Sequence, residues 1–235
     1  MNEKLIIIKE LTEKGFSTRQ IEKVVGIGRT SLSKIIKENG FQKSKISVSD
    51  IQKQFLLGNI MGDGYIYRST EGSKYRMNLA HSLKQKEYFL FKYEELKDLI
   101  KSDYKESCKL DKRTGKEYCE IRFQTRVNDI YTDLYKKWYR DGKKIMTKDL
   151  LEECGEIALA IKYFDDGSKT KSGYSIALND YDDESIEAFA CWLLEKFGIK
   201  SNIWSNKYVY INKANSEKFK EIISFVKCSD VQYKI

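Results

Sequence analysis

The sequence predicts an α/β protein of the α+β kind: a small all-α module followed by two similar blocks with antiparallel sheets. Three observations lead there. Residues 1–44 hold three short helical runs and no strand-like run. A polar stretch, "QKSKISVSD" (42–50), separates them from the rest. After it, the order helix, strands, helix, strands, helix occurs twice, over 45–150 and 151–235, as a pseudo-symmetric repeat with little identity between the blocks.

In the first module, Leu5, Ile8 and Leu11 lie at helical spacing and Gly15 ends the run. Ser17 and Gln20 form a capping box for the second helix. That helix turns Ile21, Val24 and Val25 inward, and Gly26 stops it. The third runs from about Arg29 to Asn39, with Leu32, Ile35 and Ile36 inward and Gly40 closing it. Helix, glycine turn, helix is the helix-turn-helix pattern. Arg29, Thr30, Ser33, Lys34 and Lys37 face outward on the third helix, donor-rich side chains that suit a major groove. This segment carries nine Lys/Arg against five Asp/Glu, a net of +4. A small bundle that binds another protein is the bland alternative.

The first block opens with a helix over 51–63. Strand-like "GYIYRS" and "YRMNLAH" follow, then the helix "KQKEYFLFKYEELKDLI". Next comes a hairpin around "DKRTGKE", with strands near 105–110 and 118–125, and the helix "VNDIYTDLYKKWY". The second block reads as a helix near 155–166, the strand "YSIALN" and the helix "DDESIEAFACWLLEKFG". Strands "SNIWS" and "KYVYIN" and the helix "NSEKFKEIISFV" complete it. Alternation sends Met77, Leu79, Ile121 and Phe123 inward. It leaves Arg76, Asn78, Arg122, Gln124 and Arg126 on the other face.

Charge narrows the partner. The 235 residues hold 43 Lys+Arg and 35 Asp+Glu, a net of +8. Such an excess favours a polyanion, most often nucleic acid. A hydrophobic content of 41% excludes a disordered chain. Five cysteines, none spaced C-x-x-C, and the single histidine His81 argue against structural zinc. Reduced thiols are expected, although Cys108 and Cys119 can face each other across the hairpin. The apolar run in "MNEKLIIIKE" is too short for a signal or a membrane span. The expected location is the cytoplasm, or an organelle or nucleoid.

Two apolar helices end in acid: "LLGNIMGDG" (56–64) and "LAIKYFDDG" (159–167). Asp63 and Asp166 stand 103 positions apart at matched places. A carboxylate at a helix C-terminus loses about 0.3–1 kcal/mol against the helix dipole. If the helices pack together, the two acids repel as well. Gly58 and Gly62 permit such close packing. A divalent cation removes both penalties. Mg²⁺ accepts one or two carboxylates with water and phosphate oxygens. Such an ion can activate water for phosphodiester hydrolysis. A lone Asp-Gly is an ordinary helix stop; two at matched positions in a basic chain are not.

These paired motifs resemble the signature of the LAGLIDADG homing endonucleases, in particular the single-chain branch whose second motif ends in Asp-Asp-Gly. The likeness continues in "YRMNLAHSLKQKEYF", "IRFQTR", "WYRDGKKIM" and the terminal "VQYKI", and covers about residues 50–235. It implies saddle-shaped sheets over a DNA major groove, with the motif helices between two halves. It implies Asp63 and Asp166 as metal ligands, with the carbonyls of Gly62 and Asp165 as auxiliary ones. The Asp165 side chain, equivalent to Gly62, is not the main ligand. Lys144 matches a basic position near the scissile phosphate. Its symmetric partner falls near Ser224, with Lys227 or Lys169 as substitutes. His81 is either a base beside the first acid or a polar strand-edge residue. Contacts to DNA are expected from Tyr65, Tyr67, Arg68, Arg76, Asn78, His81, Arg122, Gln124, Arg126 and Lys169, and more weakly from Ser175, Asn179, Tyr208, Tyr210 and Asn212 in the second half. The resemblance therefore implies a monomeric, site-specific endonuclease for double-stranded DNA, using Mg²⁺ or Mn²⁺ and leaving 3′ overhangs. Two alternatives share the scaffold: a non-cleaving transcriptional regulator and an RNA maturase.

Overall fold

The computed structural model describes residues 3–13, 16–42 and 47–235. The chain divides into two compact units, Met1–Ser47 and Val48–Ile235. The Gly15 stop and positions 43–46 of the polar stretch lie outside the described residues.

The first unit holds α1 (Glu3–Glu13), α2 (Thr18–Val25) and α3 (Arg29–Glu38). Ser17 and Gln20 form the capping box that starts α2, and Gly26 ends it at φ 68°, a left-handed conformation that favours glycine. Ile8, Ile21, Val25 and Leu32 make the core. Val24, expected inward, is exposed. Ile21 and Val25, one turn apart, fill the inner face and leave Val24 on the flank. Arg29, Thr30, Ser33, Lys34 and Lys37 are all exposed on α3.

The second unit begins with α4 (Asp50–Met61), β1 (Tyr65–Tyr67), β2 (Arg76–Ser82), α5 (Lys86–Glu95), β3 (Lys105–Asp111), β4 (Lys116–Gln124) and α6 (Asp129–Trp138). A ribbon of β5 (Tyr139–Arg140) and β6 (Lys143–Lys144) leads to α7 (Lys148–Glu152). Then come α8 (Glu156–Asp166), β7 (Gly167–Thr170), β8 (Gly173–Ala177), α9 (Asp183–Phe197), β9 (Ser201–Trp204), β10 (Tyr208–Asn212) and α10 (Lys213–Ile223), with a last 3-10 turn at Ser229–Lys234. The ribbon, α7 and β7 escaped the sequence reading. They are two to five residues long, and β7, "GSKT", has no apolar alternation.

The sheets repeat each other. The first has the order β1-β2-β4-β3 and the second β7-β8-β10-β9, antiparallel throughout. Met77, Leu79, Ile121 and Phe123 are buried on the inner face of the first. Tyr174, Ile176, Val209 and Ile211 match them in the second. Register places the rows Tyr65–Asn78–Gln124, Tyr67–Arg76 and Ala80–Arg122 on the outer face of the first sheet. The rows Ser168–Ser175–Tyr210 and Ala177–Tyr208 lie on the outer face of the second.

Helices α4 and α8 pack along each other. Every residue of Phe55–Met61 and of Ala158–Phe164 is buried, as expected for helices that are apolar all round. Gly58 sets the approach. A Cβ there would stand 2.6 Å from the Ile161 Cβ and 2.9 Å from the Ala158 carbonyl oxygen.

The expectation of five reduced thiols is corrected. Cys108 and Cys119 are directly opposed in the β3–β4 register and form a disulfide. Cys154, Cys191 and Cys228 are free. Among the described residues, no helix is long and apolar enough to cross a membrane.

Candidate active site at the ends of the paired helices

The packing of α4 on α8 brings Asp63, Asp165 and Asp166 to one end of the helix pair. The Asp165 side chain is fully buried there. Its Oδ2 accepts the backbone N–H of Asp63 at 2.9 Å. Its Oδ1 accepts from the Lys92 ammonium at 2.5 Å and from the Tyr88 hydroxyl at 2.9 Å. Lys92, itself without exposed surface, also donates to Asn59 Oδ1 at 2.9 Å and lies 4.4 Å from the centre of the Tyr88 ring. A buried carboxylate is tolerable only with such partners.

His81 completes the cluster. Its Nε2 is 3.1 Å from Lys92 Nζ. An ammonium can only donate, so Nε2 carries the lone pair and Nδ1 carries the hydrogen. Nδ1 stands 3.2 Å from Asp63 Oδ2, at ion-pair distance but without the geometry of a hydrogen bond.

Asp63 and Asp166 keep solvent access, with side chains 39% and 32% exposed. Their electrostatics differ. Burial pushes the Asp63 carboxyl up, but His81, Lys92 and Lys144 together outweigh it and hold it below the usual range. Asp166 ends above that range. Burial pushes it up, Asp165 and Asp63 add to that, and Lys162, 2.7 Å away, offsets only part. The electrostatic cost expected at both helix ends therefore falls on Asp166 alone.

Two lysines cap the helix ends. Lys144 Nζ donates to the Gly62 carbonyl at 2.6 Å. Lys234 Nζ donates to the carbonyls of Phe164 at 2.7 Å and Asp165 at 3.3 Å. Burial, with the Lys162 charge adding to it, pushes the Lys144 amine down to about 8, and burial lowers Lys234 too. The partner of Lys144 is thus Lys234, not a residue near Ser224, which is exposed and bonded to the Lys220 carbonyl. Lys169 donates instead to the Ile235 carbonyl at 2.6 Å.

The donor sets separate what can hold a cation. One oxygen or nitrogen each from Asp63, His81 and Asp165 lies within 4.8 Å of the others. Lys92 bonds within that group, so it is a hydrogen-bonded cluster, unsuited to a divalent ion. The carboxylates of Asp63 and Asp166 and the carbonyls of Gly62 and Asp165 are hard oxygens, of the kind Mg²⁺ and Mn²⁺ prefer. Those carbonyls already attract the ammonium groups of Lys144 and Lys234.

Of the side chains assigned to DNA, most lie on the outer sheet faces. Tyr65 and Tyr67 have ring centres 5.4 Å apart, and Arg68 lies over the Tyr75 ring at 5.5 Å. Arg122, Gln124, Tyr208 and Tyr210 share that exposure wholly or in part, and Arg76 is half-buried with its Nε lacking a hydrogen-bond partner. Three of the assigned side chains, His81, Asn78 and Ser175, are buried instead. His81 lies on the inner face, where the alternation Met77, Leu79, His81 places it. Asn78 has the outer register but is buried between Tyr65 and Gln124. Ser175 is buried likewise, its hydroxyl 2.9 Å from that of Ser168. Arg126 Nε donates to the Ile100 carbonyl at 3.0 Å. Lys169 shares the inner register of Tyr174. Asn179 and Asn212 bond Asn206 and Asn215.

Sequence reasoning missed Tyr88, Lys92, Lys162 and Lys234. Two of them had a signal: Lys92 in "YFLFKYEE" and Lys162 in "LAIKYFDD" interrupt apolar runs, and a charge there needs a partner.

The sequence profile of the LAGLIDADG DNA endonuclease family matches residues 53–221. The chain is 26% identical over 152 residues to a cytochrome b mRNA maturase bI2 of Debaryomyces hansenii, covering 64% of this chain and 58% of that protein. The chain therefore spans less than two thirds of that relative's length. It is 25% identical over 224 residues to a probable intron-encoded endonuclease 1 of Wickerhamomyces canadensis, covering 90% and 94% of the two. Its fold is similar to the homing endonuclease I-WcaI, solved bound to its DNA recognition sequence, with TM-score 0.73, 24% identity and 91% and 96% coverage.

Proposed function

The chain belongs to the LAGLIDADG DNA endonuclease family, and we propose that it binds a long site in double-stranded DNA and hydrolyses one phosphodiester in each strand. One observation carries this reading. Two solvent-reached acids meet at the ends of paired helices, and a lysine sits on the carbonyls of each helix end.

Asp63 and Asp166, with the carbonyls of Gly62 and Asp165, would hold Mg²⁺ or Mn²⁺. Such an ion, when bound, activates a water and neutralises charge on the departing oxygen. The residues of the chain do the rest. Lys144 and Lys234 place positive charge where the scissile phosphates gain negative charge. Arg76, Arg122 and Gln124 on one sheet, and Tyr208 and Tyr210 on the other, contact the bases and backbone of the duplex. The first unit is a helix-turn-helix module. The outward residues of α3 extend the footprint, and the linker adds affinity through effective concentration. The protein acts as a single-chain monomer with two motifs and leaves 3′ overhangs.

The maturase likeness favours a second reading, in which the same basic surface binds intron RNA. One experiment separates the readings. The protein is incubated with a randomised duplex library and Mg²⁺, beside an Asp63→Asn/Asp166→Asn control, and the cut ends are sequenced. Discrete cuts at one long motif, absent from the control, establish the endonuclease. Enrichment of a sequence without cuts points to a regulator. The absence of both cuts and enrichment moves the search to RNA.

A further inference from the structure

The two motif helices end in different ways. Asp165 stands at the position of Gly62 in the first motif, so only the second motif has a side chain there. That side chain crosses to the other helix and accepts the Asp63 N–H at 2.9 Å. No return contact can form. Gly62 has no side chain, and a Cβ at Gly62 would collide with the Asp165 carboxyl group. Asp166 is held otherwise: it is still within α8, and Lys162 one turn back binds its Oδ2 at 2.7 Å.

The Asp165 carboxylate is held rigidly in turn. Lys92 and the Tyr88 hydroxyl share its Oδ1, and both donors are buried. The Tyr88 hydroxyl shares its hydrogen with the Ile161 carbonyl, 3.2 Å away, and Lys92 bonds Asn59 on the first motif helix. The chain α5, Asp165, Asp63 therefore links three elements, and the Lys92, Tyr88 and Asp165 side chains in it are buried. Charge-assisted hydrogen bonds of this kind are short and directional.

We infer that Asp165, Lys92 and Tyr88 are positioning residues for Asp63 alone, so that the two strands of the duplex are cut by sites built to different plans. Asp165 clamps the turn that carries Asp63, and Lys92 and Tyr88 hold the clamp. Asp166 is bonded by Lys162 and by none of their side chains. Loosening the clamp slows one strand's cleavage and spares the other. This inference rests on the endonuclease reading.

The test uses the full chain, its selected duplex labelled separately on each strand, and the variants Lys92→Met and Tyr88→Phe. Amide exchange of Asp63 in the metal-free protein is measured beside them. The expected result is faster exchange at Asp63 and a loss of about 10–100-fold in the nicking rate of one strand, as for other residues that orient a ligand, with the other strand unchanged. Equal loss on both strands overturns the inference, and so does unchanged exchange or unchanged nicking. If Lys92→Met does not fold, Tyr88→Phe, which removes one hydroxyl and keeps the Lys92–Asp165 pair, is judged by the same outcomes. If the unmodified protein nicks neither strand, the endonuclease reading fails, and the exchange arm still decides whether the clamp holds Asp63.

Discussion

Lys234 donates to the Phe164 carbonyl at 2.7 Å and to the Asp165 carbonyl at 3.3 Å, the second being the counterpart of the Lys144 bond to Gly62 at 2.6 Å. Lys144 comes from a short ribbon and Lys234 from the 3-10 turn at Ser229–Lys234. They reach matching helix ends from unlike local structures. Both put a cation against the negative end of a helix dipole.

Removing either lysine should slow cleavage. Lys144→Met and Lys234→Met are each expected to lose about 10²-fold in single-turnover rate, the scale for one preorganised donor. Ser224→Ala, the position first suspected, should leave the rate as it was. Rates on a selected duplex check all three.

The two acids should respond in opposite directions without metal. Asp63→Asn removes a carboxylate favoured by His81, Lys92 and Lys144, and lowers stability. Asp166→Asn removes one that burial and its neighbours disfavour, and raises stability. Each change is less than about 1 kcal/mol, because both side chains meet solvent. Urea unfolding with chelator reads the sign. Both variants lose cleavage.

Gly58 allows α4 to touch α8. Gly58→Val should cost about 1–3 kcal/mol, the range for overpacking a core, because Ile161 and the Ala158 carbonyl stand in the way. A drop in the urea midpoint checks it.

Metal-free stability should rise with pH above neutrality. The Lys144 amine titrates near 8 in the folded chain and at 10.5 in the unfolded one. Between these values the unfolded chain binds more protons, so raising the pH favours the fold. Below about 8 the ammonium is charged in both states, and the cost of burying it is fully present. Lys234 adds in the same direction. Unfolding midpoints from pH 7 to about 8.5 should climb, and Lys144→Met should flatten the climb; above that the Cys154 and Cys228 thiols, pushed up to about 12 and about 11 by burial, reverse it.

Much of the fold was legible in local pattern. The Ser17–Gln20 capping box, the Gly26 stop and the alternation of Met77, Leu79, Ile121 and Phe123 all involve neighbours in sequence. The paired Asp-Gly endings located the helix ends because they repeat. Pattern failed where a role depends on contacts from afar. Alternation itself placed His81 inward, in step with Met77 and Leu79, but its polarity suggested the DNA face. Asn78 and Ser175 are polar and have the outward register, yet neighbouring strands cover them. Lys234 carried no local signal, since its partner lies 70 positions earlier.

By itself, the sequence determined the two-block architecture, the three-helix module and the matched acids, because periodicity, caps and repeated motifs act over a few residues. Only the tertiary structure decided which charges meet. Lys92, Asp165 and Asp63 lie on three elements, and burial strengthens whatever bonds packing brings about. That is why Asp63 is favoured, Asp166 is strained, and Lys234 rather than a residue near Ser224 faces the second helix end.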